Sequence, residues 1–133
     1  MTSLISELKE EHKILKSLLS DVYSYISSAE KKMEFVAKLK DIVVAHITKE
    51  DTELYPFLNK EAEKDNNLKI KLELFAKDWS GISDFATYYI EKYSNGEFDG
   101  SFPDDTAKLL STLRQRMMKE EISLYSEYDR RFK

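Results

Sequence analysis

The chain contains no cysteine, two prolines, three glycines and one tryptophan in 133 residues. Without cysteine there is no disulfide framework, no thiolate metal site and no thiol nucleophile. Basic residues are not in excess: 21 Lys and Arg face 25 Asp and Glu, for a net charge of −4. That balance argues against a nucleic-acid groove or an anionic membrane surface, both of which need clustered cations. No apolar run approaches the ~20 residues of a membrane-spanning helix. The start, Met1 to Glu7, lacks the basic residues and long apolar stretch of a signal peptide. A cytoplasmic protein with neither nucleic acid nor membrane as partner is therefore expected. What the chain does have is 41% hydrophobic and 35% charged residues, a mixture that suits amphipathic helices. Its length predicts one domain over residues 1–133, able to bury about two-thirds of the unfolded surface.

The few glycines and prolines mark the joints. Gly96 and Gly100 bracket Glu97-Phe98-Asp99, and Pro103 follows. Ser101 is expected to cap a helix whose first turn holds Pro103, Asp104 and Asp105, where acids suit the helix dipole. Between the joints, apolar residues recur at steps of three and four. The spacing predicts helices over about 3–27, 30–57 (with room for a break and a further turn to residue 64), 67–93 and 103–130. Nothing alternates like a strand. Long helices with short connections imply antiparallel neighbours, hence an all-α, up-down-up-down four-helix bundle.

Only two histidines occur, and both interrupt apolar stripes. His12 falls within Leu4, Leu8, Leu15, Leu19, Val22 and Ile26. His46 falls within Val36, Leu39, Val43, Leu54 and Phe57, and Glu50 lies one turn further on the same face. Two imidazoles and a carboxylate in a core are costly unless something satisfies them. His12 lies 17 residues before residue 29, the centre of the expected first turn, and His46 lies 17 after it. An antiparallel hairpin therefore sets them at one height, and a metal ion is the sharpest candidate for their partner.

The second half of the chain repeats the first. Lys49, Glu50, Leu54 and Tyr55 recur 70 residues later as Lys119, Glu120, Leu124 and Tyr125. In the same alignment Arg116 stands opposite His46, and Trp79 stands opposite His12 at a shift of 67.

These segments resemble the hemerythrin-like, or HHE cation-binding, domains. Leu8-Lys9-Glu10-Glu11-His12 is similar to the first element of that family, and the run from Ala45 to Pro56, with His46-x-x-x-Glu50, to the second. The run from Leu113 to Glu121 is similar to the fourth, with Arg116 where the family has His. The resemblance implies a four-helix bundle with a non-haem iron site, and a small ligand such as dioxygen as partner. It implies His12, His46, Glu50 and Glu120 as the metal-ligating set. No histidine follows His46, so a complete di-iron centre is not expected. Two histidines and a carboxylate are the set of open mononuclear Fe(II) sites. Catalytic Zn(II) sites use the same residue types, so zinc and manganese stay open as alternatives to iron.

Each of these residues also has a simpler role open to it. A core histidine is commonly just hydrogen-bonded, Glu120 could be a solvated helix residue, and Trp79 a core filler. Arg116 could snorkel to solvent, or its cation could replace a second metal and pair with Glu50 or Glu120. Asp78 is a spare carboxylate beside Trp79. Tyr88 and Tyr89 cannot both face the core. Two functions follow: a metal-binding protein used for sensing, storage or a redox-linked role, or a metal-free interaction module held by an Arg–Glu network. No nucleophile–base pair suggests hydrolysis.

Overall fold

The computed structural model describes residues 1–132. Four helices lie in chain order. α1 is Ser3–Ser20, and α3 is Asn66–Tyr93. α2 covers residues 29–62 as Ala29–Lys49, a π turn Glu50–Leu54 and a last segment Tyr55–Ala62. α4 covers residues 102–131 in the same way, as Phe102–Lys119, a π turn Glu120–Leu124 and Tyr125–Arg131. Each helix packs on the next and α4 returns to α1, closing an antiparallel four-helix bundle. Among the described residues there is no strand, and no helix is long and apolar enough to cross a membrane.

Local chemistry sets most of the helix ends. The Thr2 hydroxyl accepts from the Ile5 amide at 3.3 Å and donates to Asp129 at 2.7 Å, so the cap of α1 is pinned to the end of α4. Ser28 caps α2 through the Lys31 amide, and Asp65 caps α3 through the Leu68 amide. Two boundaries differ from the sequence-based expectation. The first helix does not run to residue 27. It stops at Ser20, and Val22–Tyr25 form a 3₁₀ turn that carries Val22 into the core while Ile26 stays 43% exposed. Ser101 makes no side-chain cap. Asp99 instead accepts from the Ser101 amide at 2.8 Å, and the acids of the first turn, Asp104 and Asp105, complement the dipole. Gly96 takes φ +82° in the corner after α3, a conformation that a side chain disfavours.

The core has two apolar clusters. One holds Leu15, Leu19, Phe35, Leu39, Tyr89, Tyr93, Phe102 and Leu113. The other holds Leu4, Ile5, Leu8, Leu54, Leu58, Leu68, Leu124 and Tyr128. Between them lies a polar layer of His12, His46, Glu50, Arg116 and Glu120, all buried. Tyr89 is fully buried and Tyr88 is 46% exposed, as adjacent helical positions require.

Candidate metal centre

α1 supplies His12, α2 supplies His46 and Glu50, and α4 supplies Arg116, Glu120 and Tyr125. The two π turns begin at Glu50 and Glu120, 70 residues apart, so the repeat in the sequence is a repeat in the backbone. Their effect is specific. Five residues of regular α-helix turn a side chain about 140° away from its starting face. The wider turn takes up the extra residue and brings Tyr125 back beside Glu120, with Oη 3.4 Å from Oε1. Tyr55 returns in the same way beside Arg116, accepting from Nη2 at 3.1 Å.

The imidazoles meet through their Nε2 atoms, 3.1 Å apart. Glu120 Oε1 lies 3.1 Å from His12 Nε2 and 3.7 Å from His46 Nε2. Glu50 Oε2 is 3.4 Å from His46 Nε2 and accepts from Tyr125 Oη at 2.8 Å. His12, His46 and Glu120 each present a ligand atom within 4.8 Å of the others, and Glu50 stands at the edge of that cluster.

The outer nitrogens are equally defined. His12 Nδ1 donates to Glu121 at 3.0 Å, and His46 Nδ1 donates to Glu11 at 2.8 Å. Lys49 holds Glu11 at 2.9 Å, and Lys16 holds Glu121 at 3.6 Å. A carboxylate on Nδ1 fixes the tautomer and turns the Nε2 lone pair inward, the usual support of a metal-binding histidine. Two such lone pairs facing at 3.1 Å repel unless a proton or a cation sits between them. Two nitrogens bound to one metal at ~2.1 Å lie about 3.0–3.4 Å apart. The donor set therefore fits a metal ion of the iron or zinc kind.

Without a metal the protons settle by charge. Burial works against a charged His46, but hydrogen bonds to Glu120 and Glu50 outweigh it and carry its pKa from 6.5 to about 10. Burial likewise opposes a charged Glu120, yet His12, His46 and Arg116 hold it down at about 2. Glu50 moves up, chiefly through burial and with help from the Glu120 charge, against the pull of His46 and Tyr125. Burial and the two carboxylates keep Tyr125 a neutral phenol. The metal-free protein should accordingly lose stability at both ends of the scale. The raised His46 contributes fully below about 6.5 and is lost as pH climbs through about 10. The lowered Glu120 contributes above 4.5 and is lost as pH falls through about 2. Urea unfolding of metal-free protein should show the alkaline decline between pH 7 and 10, and His46→Gln should flatten it.

Arg116 occupies the other half of the layer. It is buried, donating through Nε to Glu120 Oε2 at 3.3 Å and through Nη1 to the Phe75 carbonyl at 3.0 Å and Asp78 at 3.3 Å. It does not snorkel, and its partner in the core is Glu120 rather than Glu50. The guanidinium stacks on Phe75 and on Trp79, at 4.8 and 5.5 Å. Asp78 serves Arg116 as Glu11 serves His46, so the second half preserves the outline of the first around a fixed organic cation.

The Hemerythrin HHE cation-binding domain model matches residues 3–128. The chain belongs to this family. No curated protein and no solved structure matches it. Family membership carries cation binding as the general function, and the bundle agrees with it. Three residues of this hemerythrin-like layer had no place in the sequence-based set. Tyr125 lies on the wrong face of a regular helix. Glu11 and Glu121 flank core residues and act across to the neighbouring helix. The signal available for Tyr125 was the run of four-residue steps His46, Glu50, Leu54, Leu58 and Ala62, and again Arg116, Glu120, Leu124 and Tyr128. Three or four such steps in succession drift off a 3.6-residue stripe unless one turn is widened.

Proposed function

We propose that this protein is a non-haem iron-binding member of its family with a single-metal site. His12, His46 and Glu120 hold the ion, and Glu50 stands beside it. The observation that carries the reading is the pair of inward Nε2 atoms, each backed by a carboxylate on Nδ1. When bound, the ion would supply an open coordination position for a small ligand such as dioxygen, or a redox couple. The protein's own part is to aim the imidazoles, to supply negative charge through Glu120, and to shield the layer between two apolar clusters. A sensing, storage or redox-linked role inside the cytoplasm suits one metal better than reversible di-iron oxygen carriage.

Protein purified without chelators and reconstituted with Fe(II), Mn(II) or Zn(II) should carry about one equivalent of metal by elemental analysis. His46→Ala should reduce that below about a tenth, since a prearranged site loses most of its affinity with one imidazole. Wild type that stays below about a tenth of an equivalent for all three metals after reconstitution removes the reading.

A second reading has its own support. Among the described residues, every buried side-chain nitrogen and oxygen already has a hydrogen-bond partner within the protein. A layer so completed can stand as an Arg–Glu–His network in a metal-free regulatory or interaction module, and the same elemental analysis separates the two.

A further inference from the structure

His12 Nε2, His46 Nε2, Glu120 Oε1 and Tyr125 Oη are four atoms with six separations. Tyr125 Oη is 3.1 Å from His12 Nε2, 3.3 Å from His46 Nε2 and 3.4 Å from Glu120 Oε1. The two imidazole nitrogens are 3.1 Å apart, and Glu120 Oε1 lies 3.1 and 3.7 Å from them. Edges so alike describe a nearly regular tetrahedron. The centre of such a figure lies about 2.0 Å from every corner, the bond length expected from a zinc-like ion to imidazole nitrogen and carboxylate oxygen. The phenol is thus one of four equal corners and not an outlying support.

We propose that Tyr125 is itself a metal ligand, so that two imidazoles, one carboxylate and one phenolate donate to the ion, and a small ligand enters as a fifth donor by expansion of the tetrahedral set. The inference rests on the metal-binding reading above and adds a donor to it. Glu50 then has a distinct part. It stands 2.8 Å from Oη, where it accepts the phenol's hydrogen bond. On coordination a metal–Oη bond forms, the Oη–H bond breaks, and the proton passes to Glu50 Oε2. Metal ligands of this kind bind deprotonated and give up their protons on binding. The π turn at Glu120–Leu124 is what delivers this donor, and the matching turn at Glu50–Leu54 delivers Tyr55 to Arg116 instead. Tyr55 is therefore the internal control.

The test loads wild type, Tyr125→Phe and Tyr55→Phe with ferric iron supplied as a citrate chelate, followed by removal of excess. A phenolate on Fe(III) gives a visible ligand-to-metal charge-transfer band that imidazole and carboxylate do not give. Wild type and Tyr55→Phe should show the band. Tyr125→Phe should lose it while its circular dichroism stays helical. Resonance Raman spectra of wild type excited within the band should show phenolate ring modes, a readout that holds even if Tyr125→Phe fails to fold. A ferric-loaded wild type without the band or those modes overturns the assignment and leaves metal binding standing. An unchanged band in Tyr125→Phe does the same. Wild type that takes up no metal overturns both.

Discussion

Arg116→Met should be the most destabilising single substitution in the polar layer of the metal-free protein, by about 3–5 kcal/mol. Methionine keeps much of the volume and helix propensity of arginine, so the loss reports charge and hydrogen bonding. Without the guanidinium, Glu120 Oε2 loses its charged partner while remaining buried. The Phe75 carbonyl and the Tyr55 hydroxyl each lose a donor. Asp78 is the exception, because at 41% side-chain exposure it can turn to water. Equilibrium denaturation in urea should show the midpoint falling with little change in slope. Combining Arg116→Met with Glu120→Gln should cost less than the sum of the two, since removing both charges avoids the unpaired one. Arg116→Lys should fall between, because an ammonium cannot reach Nε and Nη partners on three sides at once. No loss of stability in Arg116→Met would sink the view that the guanidinium balances the layer. Metal should also offset the loss, because a ligand that binds only the folded state stabilises it by mass action.

The four helices are legible because Leu4, Leu8, Leu15 and Leu19, or Leu68, Leu72 and Tyr89, keep to one face over several turns. The level of His12 and His46 is legible by counting, and the structure puts their Nε2 atoms 3.1 Å apart even though α1 ends early at Ser20. The early end was hidden because a 3₁₀ turn keeps Val22 on the buried side, so the apolar stripe continues through a break in the helix. Glu120 joins the histidines, as the repeat suggested. Glu50 sits one step outside them, with its Oε2 accepting from Tyr125 at 2.8 Å. Tyr125 itself was illegible under a constant 3.6-residue period. Its face depends on one widened turn, and only the succession of four-residue steps records that turn. Glu11 and Glu121 were illegible for another reason. Each serves a histidine on a different helix, so their roles exist only once the helices are packed. Arg116 was readable as a replacement for a histidine, but the choice of Glu120 over Glu50 as its partner came from the short i, i+4 reach along α4.

Replacing both halves of the substitution, Trp79→His with Arg116→His, should give a protein that binds two metal equivalents where wild type binds one. The rest of a second half-site is already in place. Asp78 stands beside Arg116 as Glu11 stands beside His46, and Tyr55 faces it as Tyr125 faces the histidine pair. Asp51 precedes Thr52 in the π turn of α2 at the position that Glu121 holds in α4. A cavity of about 260 Å³ bordered by Glu50, Asp51, Tyr55, Trp79 and Arg116 leaves room for the smaller imidazoles and an ion. Removing the guanidinium takes away the fixed positive charge that excludes a second cation at this spot. Adding two imidazoles supplies neutral donors in its place. The order of effects matters. Trp79→His alone should still bind one equivalent, because Arg116 remains. Arg116→His alone should bind the second ion weakly, lacking the donor from α3. Elemental analysis of the double variant, with helicity checked by circular dichroism, should give about two metals per chain. A folded double variant that stops at one would show that the two halves share a sequence pattern without sharing a binding geometry. The Arg116→Met loss would stand unaffected, since it depends on the charge of the layer and not on its ancestry.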